Sequence, residues 1–290
     1  VLNLDAGDEI IASPMACLAS TQPYADGNRR IVWADVDNHL GTLDPDDVRK
    51  RITAKTKAIV HNHFCGYPGY IDEINAIGKE YGIPVIDDGI ECFGTEYKGR
   101  KIGSCGTDIT IFSLTAVRLM NTIDGGIIIF ADDNQFKKSI LVRDCGIDRQ
   151  NFRDDLGEIN PLCDITLRGY SATMSNVNGY IGAMQLMEVD QLIEKQRRNA
   201  QIWDQRISDW KGCKRIESVN GKPNYWVYGV YAEDKRTSLE DFRSKGYYAS
   251  GVHINNNIYS YFRNKCELSG VTDFYNHFLA LPCGWWFENG

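Results

Sequence analysis

Short apolar runs alternate with amphipathic segments through the first two thirds of the chain. Six runs predict strands: Glu9–Ala12, Arg30–Val36, Ala58–His61, Val85–Asp88, Thr110–Ser113 and Gly126–Phe130. Between them, Ile71–Tyr81 has apolar residues at helical spacing, and Asp44 followed by Pro45 marks the start of a helix that runs to about Ile52. This alternation predicts an α/β fold with a mostly parallel sheet flanked by helices.

The pattern changes in the last third of the chain. Val177–Arg206 predicts one long helix, apolar at first and then charged, which bridges toward a second domain. Beyond it we expect a strand at Tyr225–Tyr231, a helix at Ser238–Lys245 that ends at Gly246, and a strand at Tyr248–His253. We therefore predict a large α/β domain over residues 1–204 and a small α+β domain over residues 205–290.

Composition narrows the function classes. The 290 residues are 43% hydrophobic and 24% charged, and the net charge of −7 argues against a nucleic-acid-binding surface. No apolar run approaches the ~20 residues of a membrane span, and the first residues do not resemble a signal peptide. The nine cysteines form no C-x-x-C pair, so we expect reduced thiols in a cytoplasmic protein.

Two stretches combine to suggest chemistry. Val85–Gly94 (VIDDGIECFG) is an apolar strand that ends in two acids, and Phe112–Gly126 (FSLTAVRLMNTIDGG) carries Arg118 at the centre of a loop. An acid at a strand's carboxyl end and a basic residue on a later loop are typical of a pyridoxal phosphate (PLP) site. The acid pairs with the ring nitrogen, and the basic residue is normally a lysine that forms the Schiff base.

These stretches belong to a longer, collinear pattern. The further segments are Ser13–Thr21, Lys55–Pro68, the extension to Ser104 (GTEYKGRKIGS), GIDR at Gly146–Arg149 and LPCGWW at Leu281–Trp286. Together they resemble the PLP-dependent sugar aminotransferases of fold type I, the DegT family. The family's upstream phosphate-binding segment and its final helix have no counterpart here, so we expect either a fragment or a natural truncation.

The resemblance implies a set of ligands and partners. The cofactor would be pyridoxal phosphate or pyridoxamine phosphate (PMP), the substrate a nucleotide-linked keto-sugar, and the amino donor glutamate. The family also implies a homodimer whose active sites are built across both subunits, with neither nucleic acid nor membrane as a partner.

Three residues match family positions around the cofactor ring. Asp88 matches the acid that pairs with the pyridine nitrogen, although it would also serve as a local N-cap. Glu91 stands where the family has Gln or His beside the phenolic oxygen, which a carboxylate would repel. Ser113 matches a phosphate-binding serine, although a strand-end hydroxyl also bonds to backbone.

Arg118 matches the Schiff-base lysine. Arginine stays protonated, since its pKa is above ~12, so it can neither form that bond nor shuttle a proton. It would pair with an anion such as a phosphate, or else it is a surface residue of a degenerate loop. Ile123 replaces a family glycine, and a β-branched residue there is strained if the position needs a positive φ.

Ser171 and His253 match positions farther from the ring. Ser171, after Tyr170, lies where family residues reach a neighbouring subunit's cofactor, although serine is short for that role. His253 matches a histidine near the substrate and is equally explained as a structural residue.

The His61-x-His63-x-Cys65 cluster contains residue types that bind metals. Because the sequence offers no second ligand cluster, we interpret it as a strand that enters a turn, with His63 structural, and we expect no metal site.

The sequence therefore predicts an aminotransferase-like protein of sugar or polysaccharide biosynthesis with altered or lost transamination. One alternative is a non-catalytic relative that binds sugar nucleotide or pairs with an active paralogue. Another is a PMP-dependent keto-sugar 3-dehydratase. A Rossmann dehydrogenase is disfavoured because no G-x-G-x-x-G follows the first strand.

Overall fold

A computed structural model describes residues 1–219 and 221–287. Its strands are β1 (Glu9–Ala12), β2 (Arg30–Trp33), β3 (Thr56–Asn62), β4 (Val85–Asp88), β5 (Glu96–Tyr97), β6 (Arg100–Lys101), β7 (Ile109–Ser113), β8 (Gly126–Phe130), β9 (Cys213–Arg215), β10 (Gly221–Lys222), β11 (Tyr228–Ala232) and β12 (Phe278–Leu281). Its helices are α1 (Leu18–Ala25), α2 (Pro45–Arg51), α3 (Ile71–Tyr81), α4 (Asp133–Arg143), α5 (Asn176–Leu186), α6 (Val189–Arg206), α7 (Lys235–Ser244) and α8 (Ser269–His277). Strands and helices alternate from β1 to β4, as the hydrophobic pattern predicts.

Six strands form the central sheet in the order β2-β1-β3-β4-β7-β8. All neighbouring pairs are parallel except β7 and β8, which run antiparallel. The predicted mixed, mostly parallel sheet is confirmed. Since β4 and β7 are parallel neighbours, with Asp88 beside Ile111, the residues that end them lie at one edge of the sheet.

Local chemistry explains where the helices begin and end. Asp44 caps α2 by accepting a hydrogen bond from the Asp46 amide at 2.9 Å, and Pro45 is the first helical residue. The helix α3 buries Ile71, Ile74 and Ile77, and it ends at Gly82, whose φ of 65° is easily adopted by a residue without a Cβ.

Several predicted elements need correction. The long helix is two helices, since Met187 and Glu188 separate α5 from α6. The strand predicted at Tyr248–His253 is wrong: this segment has an isolated bridge between Ser250 and Ala280. The strand expected to reach Val36 ends at Trp33, and Tyr225 lies three residues before β11. Two of these segments pair only through isolated bridges, Val36 with Leu43 and Ser250 with Ala280.

The largest hydrophobic cluster joins the early strands to the C-terminal segments. Trp33 packs edge-on against Phe262 with ring centroids 5.0 Å apart, and Phe64 contacts Phe274 and Phe278 in the same way. A smaller sheet, in the order β12-β11-β9, packs on Trp203 of α6. The division at 204/205 stays a prediction, and residues 288–290 of the small domain lie outside the described part.

Two further features bear on the environment of the protein. Within the described ranges we find no helix with both the length and the apolar composition needed to span a bilayer. All nine cysteines are free thiols in the structure.

Candidate active site

Asp88 is buried at the carboxyl end of β4. Its Oδ1 accepts a hydrogen bond from the Ile90 amide at 3.3 Å. Asp88 therefore makes the kind of local backbone contact that its interpretation as an N-cap predicts. Burial raises the pKa of Asp88 to about 6. Burial disfavours the ionised form of this carboxyl group. A cationic N–H, such as that of a pyridinium ring, would stabilise the ionised form.

Ser113 ends β7, the strand next to β4. Its Oγ lies 3.1 Å from the Thr115 Oγ1, and the Thr115 amide donates to it at 3.4 Å. The hydroxyl is half-buried at the same sheet edge as Asp88. The position of Ser113 would allow its hydroxyl to bind an anion at this edge of the sheet. Its hydrogen bonds to Thr115 are those expected of a hydroxyl at the end of a strand.

Glu91 is the centre of a buried charge cluster. Its Oε1 lies 3.0 Å from the His253 Nε2 and accepts a hydrogen bond from the Arg118 Nη1 at 3.3 Å. Its Oε2 accepts from the Cys65 amide at 2.8 Å. Burial alone would raise the pKa of Glu91, but His253 and Arg118 outweigh that effect and hold the pKa below its usual range.

The Arg118 side chain is not on the surface. It is 9% exposed, and its guanidinium carbon lies 4.9 Å from the centre of the Trp226 ring. Trp226 is fixed in turn, because its Nε1 donates to the Val117 carbonyl at 3.0 Å. Arg118 is therefore a buried cation with an internal counter-ion and an aromatic support.

His253 thus joins the site through Glu91. It lies in a segment that follows Gly251, and its ring packs edge-on against Phe64 with centroids 6.0 Å apart. The structure joins three of the predicted residues, Glu91, Arg118 and His253, by direct contacts, and it places two others, Asp88 and Ser113, at the carboxyl ends of neighbouring strands.

Ser171 lies apart from this cluster. It is exposed, and it forms an isolated bridge with Asp144. No described hydrogen bond joins it to Asp88 or Glu91. Tyr170 is exposed as well, so both residues are accessible to a neighbouring molecule.

The loop after Arg118 carries the strain that the sequence predicts. Ile123 has a φ of 71°, a left-handed conformation that disfavours β-branched residues, and its side chain is 63% exposed. Gly125, two residues later, has a φ of 128°. Ile123 therefore adopts a left-handed backbone conformation that glycine adopts more easily.

A second buried polar cluster contains His61, His63 and Asp87, whose potential ligand atoms lie within 4.8 Å of one another. The Gly69 amide donates to the His63 Nδ1 at 3.2 Å, so a neutral ring carries its proton on Nε2, which faces Asp87 Oδ1 at 3.3 Å. Thr107 donates to the other carboxylate oxygen at 2.6 Å. Among the described residues, His61 Nδ1 and Nε2, His63 Nε2 and Asp87 Oδ1 are buried without a hydrogen-bond partner.

Sequence reasoning missed two residues that shape the site. Trp226 supports Arg118, and Asn224 donates from its Nδ2 to the Glu91 carbonyl at 2.8 Å. Both lie more than 100 residues from their partners, and no local pattern marks them. An Asn just before the predicted strand at Tyr225–Tyr231 and a Trp within it were the only signals.

Arg118 offers a guanidinium and no amine. Two lysines that precede it in the sequence, Lys98 and Lys101, form surface ion pairs with Asp72 and Asp190 at 2.6 Å. Asp88 and Ser113 suit non-covalent contact with a phosphorylated pyridine. The buried Arg118–Glu91 pair does not fit a covalently attached cofactor, and we derive no reaction step through one.

The central sheet, the flanking helices and the acid at the end of β4 define a protein with the PLP-transferase fold type I. The family model of the DegT/DnrJ/EryC1/StrS aminotransferases matches residues 1–288, so the chain belongs to this family.

Solved structures agree. AtS13 from Actinomadura melliaura is 28% identical, with a TM-score of 0.90 over 98% of this chain and 78% of that one. The sugar aminotransferase CalS13 from Micromonospora echinospora is 26% identical, with a TM-score of 0.89 over 97% of this chain and 77% of that one. The PMP form of a putative sugar aminotransferase, Spr1654 from Streptococcus pneumoniae, is 18% identical, with a TM-score of 0.87 over 99% and 78% of the two chains, and shows the fold alone.

Proposed function

We propose that this chain is a sugar-aminotransferase relative that does not transaminate and that retains ligand binding. The observation that carries the proposal is the buried ion pair between Arg118 and Glu91, and we align Arg118 with the family's lysine. A guanidinium with a pKa above ~12 is neither a nucleophile toward an aldehyde nor a proton shuttle at working pH. The same argument disfavours a 3-dehydratase, which would need a usable base at this position.

The retained ligands follow from the family. We infer that a nucleotide-linked keto-sugar is the ligand class, and that PLP or PMP, if held, is held without a covalent bond, with Asp88 on the ring nitrogen and Ser113 on the phosphate. The burial of Asp88 and the placement of both residues at one sheet edge support this assignment.

We also propose that the chain works as a dimer, with a second copy or with an active paralogue. Exposed apolar side chains around α5 support an interface there: Leu162, Val177, Tyr180, Met184 and Met187. Nine free thiols support a reducing compartment such as the cytoplasm.

The test is amination of a panel of 3-keto and 4-keto sugar nucleotides, with glutamate as the amino donor and PLP added. We expect no turnover above the protein-free blank. Arg118→Lys alone should recover little, because Glu91 and Ile123 remain and effects within one site are not additive. CalS13 is assayed in parallel to show that the assay works. Turnover near ~1 per second, ordinary for an enzyme, in the unmodified protein would overturn the proposal.

A further inference from the structure

A buried triad of His61, His63 and Asp87 is assembled by two neighbouring strands. His61 lies opposite Asp87 in the parallel pair β3 and β4, and His63 directly follows β3. All three side chains are fully buried. The sequence alone offers two histidines and no second ligand cluster, whereas the fold adds a carboxylate from the next strand.

Three potential ligand atoms of the triad face one another. Asp87 Oδ1 lies 3.4 Å from His61 Nδ1 and 3.3 Å from His63 Nε2, and none of these atoms has a hydrogen-bond partner among the described residues. Nitrogen and oxygen ligands about 2.0–2.1 Å from a tetrahedral zinc ion are separated by about 3.3–3.4 Å. The two distances therefore match two edges of a tetrahedral zinc site.

The surroundings of the triad hold its side chains in place. Thr107 donates to the second oxygen of Asp87 at 2.6 Å, which leaves Oδ1 for a metal. A Cβ added to Gly69 would lie 2.3 Å from His61 Nε2 and 2.8 Å from Thr42 Oγ1, so a larger residue would push the imidazole aside. Thr42 Oγ1 is itself buried without a described partner, and it offers an oxygen on the side of His61 away from Asp87.

Metal binding requires one change in the triad. The Gly69 amide donates to His63 Nδ1 at 3.2 Å, so His63 must move its proton from Nε2 to Nδ1 and lose this hydrogen bond. Such a loss weakens binding by about ten- to a hundredfold. Structural zinc sites reach apparent affinities of roughly 10⁷–10¹¹ M⁻¹, so the bonds to the metal outweigh the lost hydrogen bond.

We propose that His61 Nδ1, His63 Nε2 and Asp87 Oδ1 bind one Zn²⁺ ion, with water as the fourth ligand. Two imidazoles and one carboxylate are a donor set that suits zinc. The nearby Asp88 carboxyl, which interacts electrostatically with His63, supplies further negative charge. Because the triad is closed to solvent, the ion is structural, and it joins β3 to β4 immediately before Asp88.

The closed position of the triad gives the test its readout. Untagged protein is expressed with added zinc, its accessible thiols are alkylated, and it is gel-filtered in EDTA before metal analysis by mass spectrometry. We expect about one zinc ion per chain, which is lost only when the protein is unfolded in urea with EDTA. Refolding with zinc should restore the ion and raise the thermal midpoint by at least about 4 °C over refolding in EDTA.

Two variants assign the zinc to the triad. Asp87→Asn and His61→Asn each remove one ligand, and each should lower the zinc affinity at least about tenfold in competition with a chromophoric chelator. His39→Asn, at an exposed histidine, is the matched control for the loss of an imidazole and should keep the full zinc content.

The proposal is overturned if the unmodified protein holds no zinc above the buffer level both after expression and after refolding with zinc. A triad satisfied by water or by its own hydrogen bonds would give that result. It is also overturned if both folded variants keep the zinc affinity of the unmodified protein. Circular dichroism checks folding, and the zinc content of the unmodified protein decides if neither variant folds. Either failure leaves the proposed function untouched.

Discussion

Glu91 and Arg118 explain each other. Considered separately, Glu91 would repel a cofactor phenolate and Arg118 would fail as a Schiff-base residue. In the structure the carboxylate is the counter-ion of the guanidinium, with both side chains at least nine-tenths buried. Each of the two buried charges is thus neutralised by the other.

The pair should be energetically coupled. Glu91→Gln leaves the Arg118 charge buried without its partner and should cost about 3 kcal/mol of unfolding free energy in a urea titration. The double variant Glu91→Gln, Arg118→Met should cost clearly less than the sum of the two single changes. Glu240→Gln, which removes an exposed ion pair, is the control and should cost under about 0.5 kcal/mol. Additive single effects would contradict the coupling.

Asp88 should make stability depend on pH. Its folded pKa of about 6 lies above the unfolded value of about 3.9, so between these values the folded state binds more protons. The contribution of Asp88 to stability is therefore largest below pH 4 and falls as the pH rises through 6. Asp88→Asn should remove this fall and gain on the order of 2 kcal/mol relative to the unmodified protein at pH 8.

The measurement for Asp88 is a series of urea titrations from pH 4.5 to pH 8 on both proteins. Glu240→Gln, at an exposed ion pair with Arg236, is a control that should leave the pH dependence unchanged. Parallel curves for Asp88→Asn and the unmodified protein would show that Asp88 is not held in the environment described. If PLP binds, its addition should stabilise the unmodified protein at pH 8 more than Asp88→Asn, because the pyridinium pairs with the carboxylate.

Elements with strong local signals were predictable from the sequence. The bounds of α3 follow from the spacing of Ile71, Ile74 and Ile77 and from Gly82, and β4 and β8 match the apolar runs. The break between α5 and α6 was not predictable, since residues 187–188 lack Gly and Pro and the helical pattern continues through them. The segment around Ser250 has strand-like composition, but its ladder depends on a partner 30 residues away.

The loop that contains Ile123 should be locally strained. Because Ile123 adopts a φ of 71°, Ile123→Gly relieves a cost of about 1 kcal/mol and should raise the unfolding free energy by a similar amount. Chemical denaturation measures the change. Ile128→Gly, an exposed residue in β8, is the contrasting control and should destabilise the protein. A loss of stability in Ile123→Gly would show that the loop is not strained as described.

At the scale of the molecule, the sequence predicted the sheet edge but not what closes the site. Parallel strands place Asp88 and Ser113 together, and that follows from alternation alone. The supports of Arg118 and Glu91 come from Trp226, Asn224 and His253, which are brought near by packing across more than 100 residues. Such contacts depend on the assembled core, and a single sequence contains no periodic signal for them.

The central claim is that no lysine in this protein holds the cofactor. The most direct measurement is intact-mass spectrometry after incubation with PLP and reduction with borohydride, with CalS13 as the lysine-family control. We predict that the protein keeps its unmodified mass, because we align Arg118 with the family's lysine and because Lys98 and Lys101 lie in surface ion pairs. A stoichiometric pyridoxyl adduct on a single lysine would contradict the account.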